Sequence, residues 1–400
     1  MKPMNRRHFL QGSASLLSAA GLGSVMAAEP AGVAPARVPG AVADGGTQTL
    51  APILASADRI IEMNVCTRPF RPQGPRIEPE RMGRKTVVHN YGHGGSGWSL
   101  SWGSGALAVA MAQDSARGNL AVVGCGAIGL TTALQAQRAG LEVTIYARER
   151  PPLVRSAWAT GAWTPDSRIC TAEFAPQFAE RWETMARYSF RRFQALLGLP
   201  GYPIEWQPMY TLSDTPFDAE SAHQESREPE YPDFTRELIP DLTPRSVDLS
   251  VHPFGAAHVR RRPLMLFNIS AYTDHLLREF LLLGGKLVTL ELTDRSDFNA
   301  LDERTIVNCT GWGARALLED DSLVPVRGQT CKLIPQPEVN YGITYGDREV
   351  AVYPRRDGLL VQAQADTDYG NDTETLDPAE SIAAVERLAG IVNEMQVGDA

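Results

Sequence analysis

The chain has 400 residues and a net charge of −9. The missing basic excess excludes the cationic face that nucleic-acid binding needs. No run of about 18 apolar residues occurs after position 30, so no membrane-spanning helix is expected there. The 5 cysteines are Cys66, Cys125, Cys170, Cys309 and Cys331, with no CxxC spacing among them. That pattern gives neither a disulfide framework nor a zinc site, and it predicts small buried residues. No repeat of fixed length is present, which removes solenoids and propellers. The composition, 43% apolar and 21% charged, is that of a globular protein, and the length suits two domains or one composite one.

The N-terminus reads as an address rather than as fold. NRRHFLQG (5–12) sets Arg6 and Arg7 before Phe9 and Leu10. A moderately apolar stretch follows, then small residues around Ala27 and Ala28. This is the three-part plan of a bacterial secretory signal, and the paired arginines resemble the twin-arginine type. Residues 1–28 are therefore expected to engage the twin-arginine export machinery and direct a periplasmic or secreted protein. Residues 29–48, rich in Ala, Gly and Pro, read as a linker.

The first folded signal is NLAVVGCGAIG, a buried strand entering a glycine turn. LTTALQAQRAG follows as a helix closed by Gly140, and LEVTIYARE as a second strand. This strand, turn, helix, strand order opens a parallel βαβ unit. In GxGxxG, Gly124 permits the tight turn and Gly126 lets the backbone approach a pyrophosphate. Gly129 lets helix and strand pack closely, and Ala127 and Ile128 complete the turn. Glu149 stands where an acid would hold ribose hydroxyls. Its neighbour Arg148 leaves room for the phosphorylated ribose of NADP.

A second glycine-rich stretch, HNYGHGGSGWSLSWGSG (89–105), follows the strand RKTVVHNYG and precedes the unit just described. It reads as a loop, with a helix beginning only at ALAVAMAQDSA (106–116). The middle, 166–275, is rich in Pro and aromatics in short runs, and reads as mixed and largely antiparallel. AYTDHLLREFLLLGGKLVTLEL (271–292) is a helix, a turn and a strand. RTIVNCTGWGA (304–314) is a buried strand, VPVRGQTCKLI and EVAVYPRRDGLLVQAQA are strands of a second domain, and DPAESIAAVERLAGIVNEM (377–395) is a helix with Asp377 as N-cap.

Several of these stretches carry a likeness. AVVGCGAIGLTTALQAQRAGLEVTIYARE, SAWATGAWTP, IVNCTGWGARAL and RGQTCKL resemble segments of D-amino-acid oxidases. RPFRPQGPRIEPE (68–80) and VVHNYGHGGSGWSLSWG (87–103) resemble that family's two C-terminal signatures. Here those two come before the nucleotide-binding strand, so the resemblance implies a circularly permuted chain with the old ends joined through AQDSARGN. It implies an α/β fold: a Rossmann-like FAD-binding domain interleaved with a mixed, mainly antiparallel substrate domain. The expected boundaries are 49–86 and 166–270 for substrate-domain segments, 87–165 and 271–333 for the FAD domain, and 334–400 for the rest of the substrate domain.

The same resemblance implies an enzyme. The substrate α-carbon gives a hydride to flavin N5, oxygen takes the electrons to form hydrogen peroxide, and the imine hydrolyses to a 2-oxo acid and ammonia. Arg68 matches the carboxylate-binding arginine, whose planar fork suits that anion. Gly94, Gly95, Ser96, Gly97, Trp98 and Ser99 match the loop along the flavin ring, with Gly95 also offering its carbonyl to the substrate amine. Thr160, Gly161 and Ala162 match flavin contacts, Leu292 an aliphatic residue near the adenine, and Thr310 a further cofactor contact. His89 and His93 read as structural. The family's two substrate tyrosines are not plainly kept: Ala351 holds the place of one, leaving Tyr353 and Tyr345 as candidates in the shortened stretch GITYGDREVAVYPRRDG. The alternatives that remain are an amine or imino-acid dehydrogenase with another electron acceptor, a flavin-binding protein without turnover, and an NADP enzyme resting on Arg148.

Overall fold

The computed structural model of the chain describes residues 50–217, 228–248, 252–364 and 367–395. The twin-arginine segment and the linker lie outside them. Two sheets organise the rest.

In chain order the strands are β1 (Ile60–Phe70), β2 (Arg76–Met82), β3 (Lys85–Tyr91), β4 (Asn119–Val123), β5 (Glu142–Ala147), β6 (Ile204–Ser213) and β7 (Arg245–Ser246). Then come β8 (His258–Phe267), β9 (Lys286–Thr289), β10 (Thr305–Asn308), β11 (Val324–Leu333), β12 (Gly342–Tyr345), β13 (Val350–Arg355) and β14 (Gly358–Ala363). The helices are α1 (Gly97–Gln113), α2 (Ala127–Arg138), α3 (Ala175–Gln194), α4 (Phe234–Leu238), α5 (Ile269–Leu282), α6 (Ala314–Leu318) and α7 (Pro378–Asn393). None of the described helices is long and apolar enough to cross a membrane.

The six-stranded sheet runs β2-β3-β10-β4-β5-β9. All its pairs are parallel except β2 with β3. β3 and β10 are buried at every residue, and β4 at all but its first, as strands covered on both faces should be. From β4 the chain moves one way to β5 and β9, while β10 lies on β4's other side. That reversal leaves a crevice beyond the carboxyl ends of β4 and β10. Helices α1, α2, α3 and α5 cover one face in a single apolar cluster with Val88, Val122, Ile145 and Val307.

The eight-stranded sheet runs β1-β11-β14-β13-β12-β6-β8-β7, antiparallel throughout except β12 with β6. One face packs against α7, whose Ala384, Val385, Leu388 and Ile391 meet Val350, Val352 and Ile343. Asp377 caps that helix by accepting the N–H of Ala379 at 2.9 Å, as its sequence predicts.

Four expectations need correction. The segment 97–105, read as loop, is the first half of α1. Its glycines make close helix contacts: a Cβ on Gly103 would stand 2.3 Å from the Met185 carbonyl oxygen on α3, and one on Gly105 3.1 Å from Thr132 on α2. The middle segment holds a 20-residue helix, α3, which buries Phe178, Trp182, Met185, Ala186, Ser189 and Phe193 on one face. β2 pairs with β3, so the six-stranded sheet begins at Arg76 and not at 87. β11 pairs with β1 and β14, so it is a strand of the second sheet, as VPVRGQTCKLI reads, and the boundary expected at 333 falls before Val324 instead.

Candidate functional site

A cleft of about 1110 Å³ opens at the crevice beyond β4 and β10. Of the residues singled out in the sequence, Arg68, Gly94, Gly95, Gly97, Trp98, Gly124, Gly126, Ala127, Ile128, Arg148, Glu149, Thr160, Leu292 and Thr310 line it. Segments far apart in sequence thus converge on one space.

The glycine turn does steric work. A Cβ on Gly124, which sits at φ +110°, would stand 2.4 Å from the Cys309 carbonyl oxygen of the neighbouring strand. One on Gly129 would stand 2.0 Å from the Gly124 oxygen. Neither position tolerates a side chain, so β4, α2 and β10 close into one corner. The first turn of α2 carries no acidic residue and Gly126 supplies no side-chain cap, so the positive end of the helix is left for an anion. Ser156 joins that corner by accepting the Ala127 N–H at 3.0 Å. Its carbonyl accepts the Trp98 indole N–H at 2.8 Å. The sequence shows no sign of this link, because Ser156 and Ala127 are 29 residues apart.

The turn before α1 and the start of α1 also line the cleft, through Gly94, Gly95, Gly97 and Trp98. Gly94 is required by contact with the turn at 167–168. Its φ is +53°, and a Cβ there would lie 1.9 Å from the Arg168 oxygen. Gly95 donates its N–H to Ser167 at 3.1 Å, and Ser96 donates its N–H to His93 at 2.9 Å. Those two N–H groups are spent within the protein and are not free for a cofactor. Ser96 does not line the cleft: its hydroxyl donates to the Thr164 and Ser167 carbonyls at 3.1 and 2.9 Å. Ser99 accepts the Thr164 N–H at 2.8 Å. Both serines brace the segment that wraps the cleft. Gly161 and Ala162 also stand back from it, bonded to the end of β8 through Gly161 O to the Phe267 N–H at 2.6 Å and a bridge from Ala162 to Leu266. Gly129 likewise packs behind the turn.

Arg148 pairs with Glu149 at 3.2 Å and with Glu291 at 3.0 Å. Two carboxylates already hold the cation, so it does not stand free for a 2′-phosphate, and the NADP reading loses its residue. Leu292 packs against the cluster around Val123 and Ile306. The Thr310 hydroxyl donates to Asn308 at 2.8 Å.

On the substrate side, Arg68 reaches across β11. Its Nη1 donates to the Arg327 carbonyl at 2.6 Å, and a Cβ on Gly328 would lie 2.4 Å from its Nη2. Among the described residues no carboxylate is within ion-pair distance of Arg68. Tyr353 packs on Ala162, Met209 and Leu264. Burial raises its pKa, opposed by Arg262 first and then by Arg68 and Arg168. Its hydroxyl has no hydrogen-bond partner among the described residues. Tyr345 is not at this site. Side chains alternate along β12, and Tyr345 and Ile343 join the α7 side. There the Tyr345 hydroxyl donates to Asp214, and Arg348 stacks 4.9 Å above the ring.

The sequence did not single out Arg155 or Thr67, which also line the cleft. Both meet Glu374 from the loop before α7, so that loop closes along the Arg68 side. Nothing local marks this contact, since Thr67 and Glu374 are 307 residues apart.

The histidines are structural. His93 meets the Ser104 hydroxyl at 2.7 Å, and burial drives its pKa down to about 3. His89 meets Glu80 at 2.9 Å, and burial first, then Arg76, takes it down to about 4. An unfolded imidazole titrates near 6.5. Between pH 6.5 and 4 the unfolded chain takes up protons that the fold refuses. Stability is therefore full above 6.5 and falls as pH drops through that window. Asp368, raised to about 6 by burial, works in the opposite sense, losing stability as pH rises through 6. Two imidazoles outweigh it. The thermal midpoint should fall by on the order of 5 °C from pH 7 to pH 5, and less steeply in His93→Gln, as read by melting curves.

The residues fit a dinucleotide flavin. The cleft has the volume and two glycine-lined helix starts, and it is lined by an arginine with no carboxylate within ion-pair distance among the described residues. Comparison with known proteins agrees. Residues 119–398 match the family model of FAD-dependent oxidoreductases. A D-amino-acid oxidase of Streptomyces coelicolor is 28% identical over 287 residues, 71% of this chain and 80% of that protein. A D-aspartate oxidase of Cryptococcus neoformans is 44% identical over 54 residues, 13% of this chain and 14% of that protein. The glycine oxidase structure from Geobacillus kaustophilus aligns with a TM-score of 0.50 at 16% identity, covering 69% of this chain and 79% of that one, a likeness of fold. The chain belongs to the FAD-dependent oxidoreductase family, and its cofactor is FAD.

Proposed function

We propose that the protein is an oxidase of D-amino acids, converting them to 2-oxo acids, ammonia and hydrogen peroxide. The observation that carries this reading is Arg68. Its guanidinium sits at the cleft with no carboxylate within ion-pair distance among the described residues, which suits it to hold an α-carboxylate by paired N–H donors. When bound, FAD supplies the acceptor for the hydride leaving the substrate's α-carbon. The chain's part is positioning. Arg68 fixes the carboxylate, and Tyr353, whose hydroxyl has no hydrogen-bond partner among the described residues, feels the charge of that arginine. His93 lines the cleft but is neutral and bonded to Ser104, so it takes no proton, and a substrate amine already neutral needs none taken. The relatives named D-amino-acid oxidase support the choice of substrate. The test is peroxide release in air from a panel of D- and L-amino acids. Turnover of D-forms with equimolar peroxide is expected. Turnover only with an artificial electron acceptor would instead make the enzyme a dehydrogenase.

The proposal extends to the order of the chain. β2 and β3 precede β4 in sequence yet complete its sheet beside β10, and α1 ends at Gln113, close before β4 at Asn119. Leu50, Ile53, Ile391 and Met395 share one apolar cluster, so the two ends of the described chain meet. These features support a circular permutation. A reordered gene placing residues 119–395 before 50–113 should give a flavin-loaded enzyme, and a flavin-free or insoluble product would count against it. For export, Arg6→Lys with Arg7→Lys should trap the protein in the cytoplasm in cell fractionation. Unchanged distribution would remove the twin-arginine assignment.

A further inference from the structure

A second cavity of about 450 Å³ lies beside the cleft, lined by Trp163, Thr164, Asp166, Asp233, Arg260 and Arg262 among others. The two spaces share the segment 160–167. Thr160 faces the cleft and Thr164 and Ser167 face the cavity. The same segment is bonded to the flavin-side residues Gly95, Ser96 and Ser99. Register places Arg262 opposite Met209 on β6, Met209 opposite Gly342 on β12, and Gly342 next in line to Tyr353 on β13. The face of the sheet that carries Tyr353 therefore carries Arg262, and the Tyr353 hydroxyl feels both Arg262 and Arg68.

Arg262 has no hydrogen bond or ion pair among the described residues. The carboxylates nearest to it in effect are Asp166 and Asp233, and both serve backbone donors. Asp166 accepts the Thr235 N–H at 2.8 Å, and Asp233 caps α4 through the Arg236 N–H at 3.4 Å. Neither comes within ion-pair distance of the guanidinium. Desolvation lowers the pKa of Arg262 with no contacting anion to offset it. Such a group, charged and donor-only, raises the free energy of the fold unless a ligand anion completes it.

We infer that this cavity receives the substrate side chain and that Arg262 binds a carboxylate on it, so the preferred substrates are acidic D-amino acids. Arg68 takes the α-carboxylate, Arg262 the side-chain carboxylate, and Tyr353 lies between them. The inference rests on the proposed D-amino-acid oxidation and names its substrate class.

The test uses the FAD-loaded enzyme and compares D-aspartate and D-glutamate with their neutral isosteres D-asparagine and D-glutamine, and with D-alanine. A kcat/KM for the acids about 100-fold above that for the carboxamides is expected. Arg262→Met should collapse that ratio toward unity, and Arg262→Lys should restore part of it, with the flavin spectrum reporting that both variants stay loaded. Equal use of acids and carboxamides by the unmodified enzyme overturns the inference and leaves the oxidase reading intact, and so does an acid preference that survives Arg262→Met. Failure of every D-amino acid to reduce the flavin overturns the oxidase reading and the inference with it.

Discussion

Arg68→Leu is expected to lower kcat/KM for amino-acid substrates by about 1000-fold while the flavin stays bound. The size follows from what the guanidinium would do. A carboxylate entering the cleft gives up water, and at Arg68 it meets a planar fork already oriented by the Arg327 carbonyl and pressed against Gly328. A leucine would leave that carboxylate desolvated and unpaired, a loss of about 4 kcal/mol. Arg68→Lys keeps the charge but not the fork, and should recover only part of the loss. Because Arg68 makes one side-chain hydrogen bond and no ion pair among the described residues, the fold should lose little, and melting temperature separates the two effects. Unchanged kinetics in the Leu variant would remove Arg68 from the site.

Gly103→Val should destabilise the protein by about 3 kcal/mol or more and lower its melting temperature by on the order of 5–10 °C. The added Cβ would fall 2.3 Å from the Met185 oxygen, and that atom is backbone of α3 and cannot swing aside. Helix α1 would have to move off α3, and its start carries the cleft residues Gly97 and Trp98. Flavin affinity should therefore fall with stability. Gly97→Ala is the contrasting substitution. Nothing lies within 4 Å of the added Cβ, and the residue is already helical, so a gain of about 0.5–1 kcal/mol is expected. Equal melting temperatures for the two variants would contradict the packing role assigned to Gly103.

These two residues also show what the sequence makes legible. The β4-turn-α2-β5 unit is plain because each part is local: an apolar run, glycines at fixed offsets and a helix closed by Gly140. The helical character of 97–105 is hidden because glycine in a sequence signals a turn, whereas Gly103 and Gly105 answer to α3 and α2, elements that meet them only in the fold. α3 had the right spacing in Phe178, Trp182, Met185 and Phe193, but it lay within a Pro-rich and aromatic stretch and carries Pro176 in its first turn. Arg68 and the glycine corner could be placed from motifs. The separation of Tyr345 from Tyr353 could not, because it depends on the register of β12 against β13: Tyr345 pairs with Val350 and so shares its face, opposite to that of Tyr353. Arg262 escaped for the same reason: in HVRRRPLML nothing distinguishes the third arginine from its neighbours until the register of β8 is known.

This cleft holds FAD and, in the function proposed, presents to it the α-carbon of a D-amino acid anchored on Arg68. The most direct measurement is anaerobic mixing of the purified flavin-loaded protein with D- and L-enantiomers of one amino acid, following the visible flavin absorbance. Rapid bleaching by the D-enantiomer is expected, little by the L-enantiomer, and a rate that collapses in Arg68→Leu. A protein that binds no flavin would contradict it, as would bleaching indifferent to enantiomer or to Arg68.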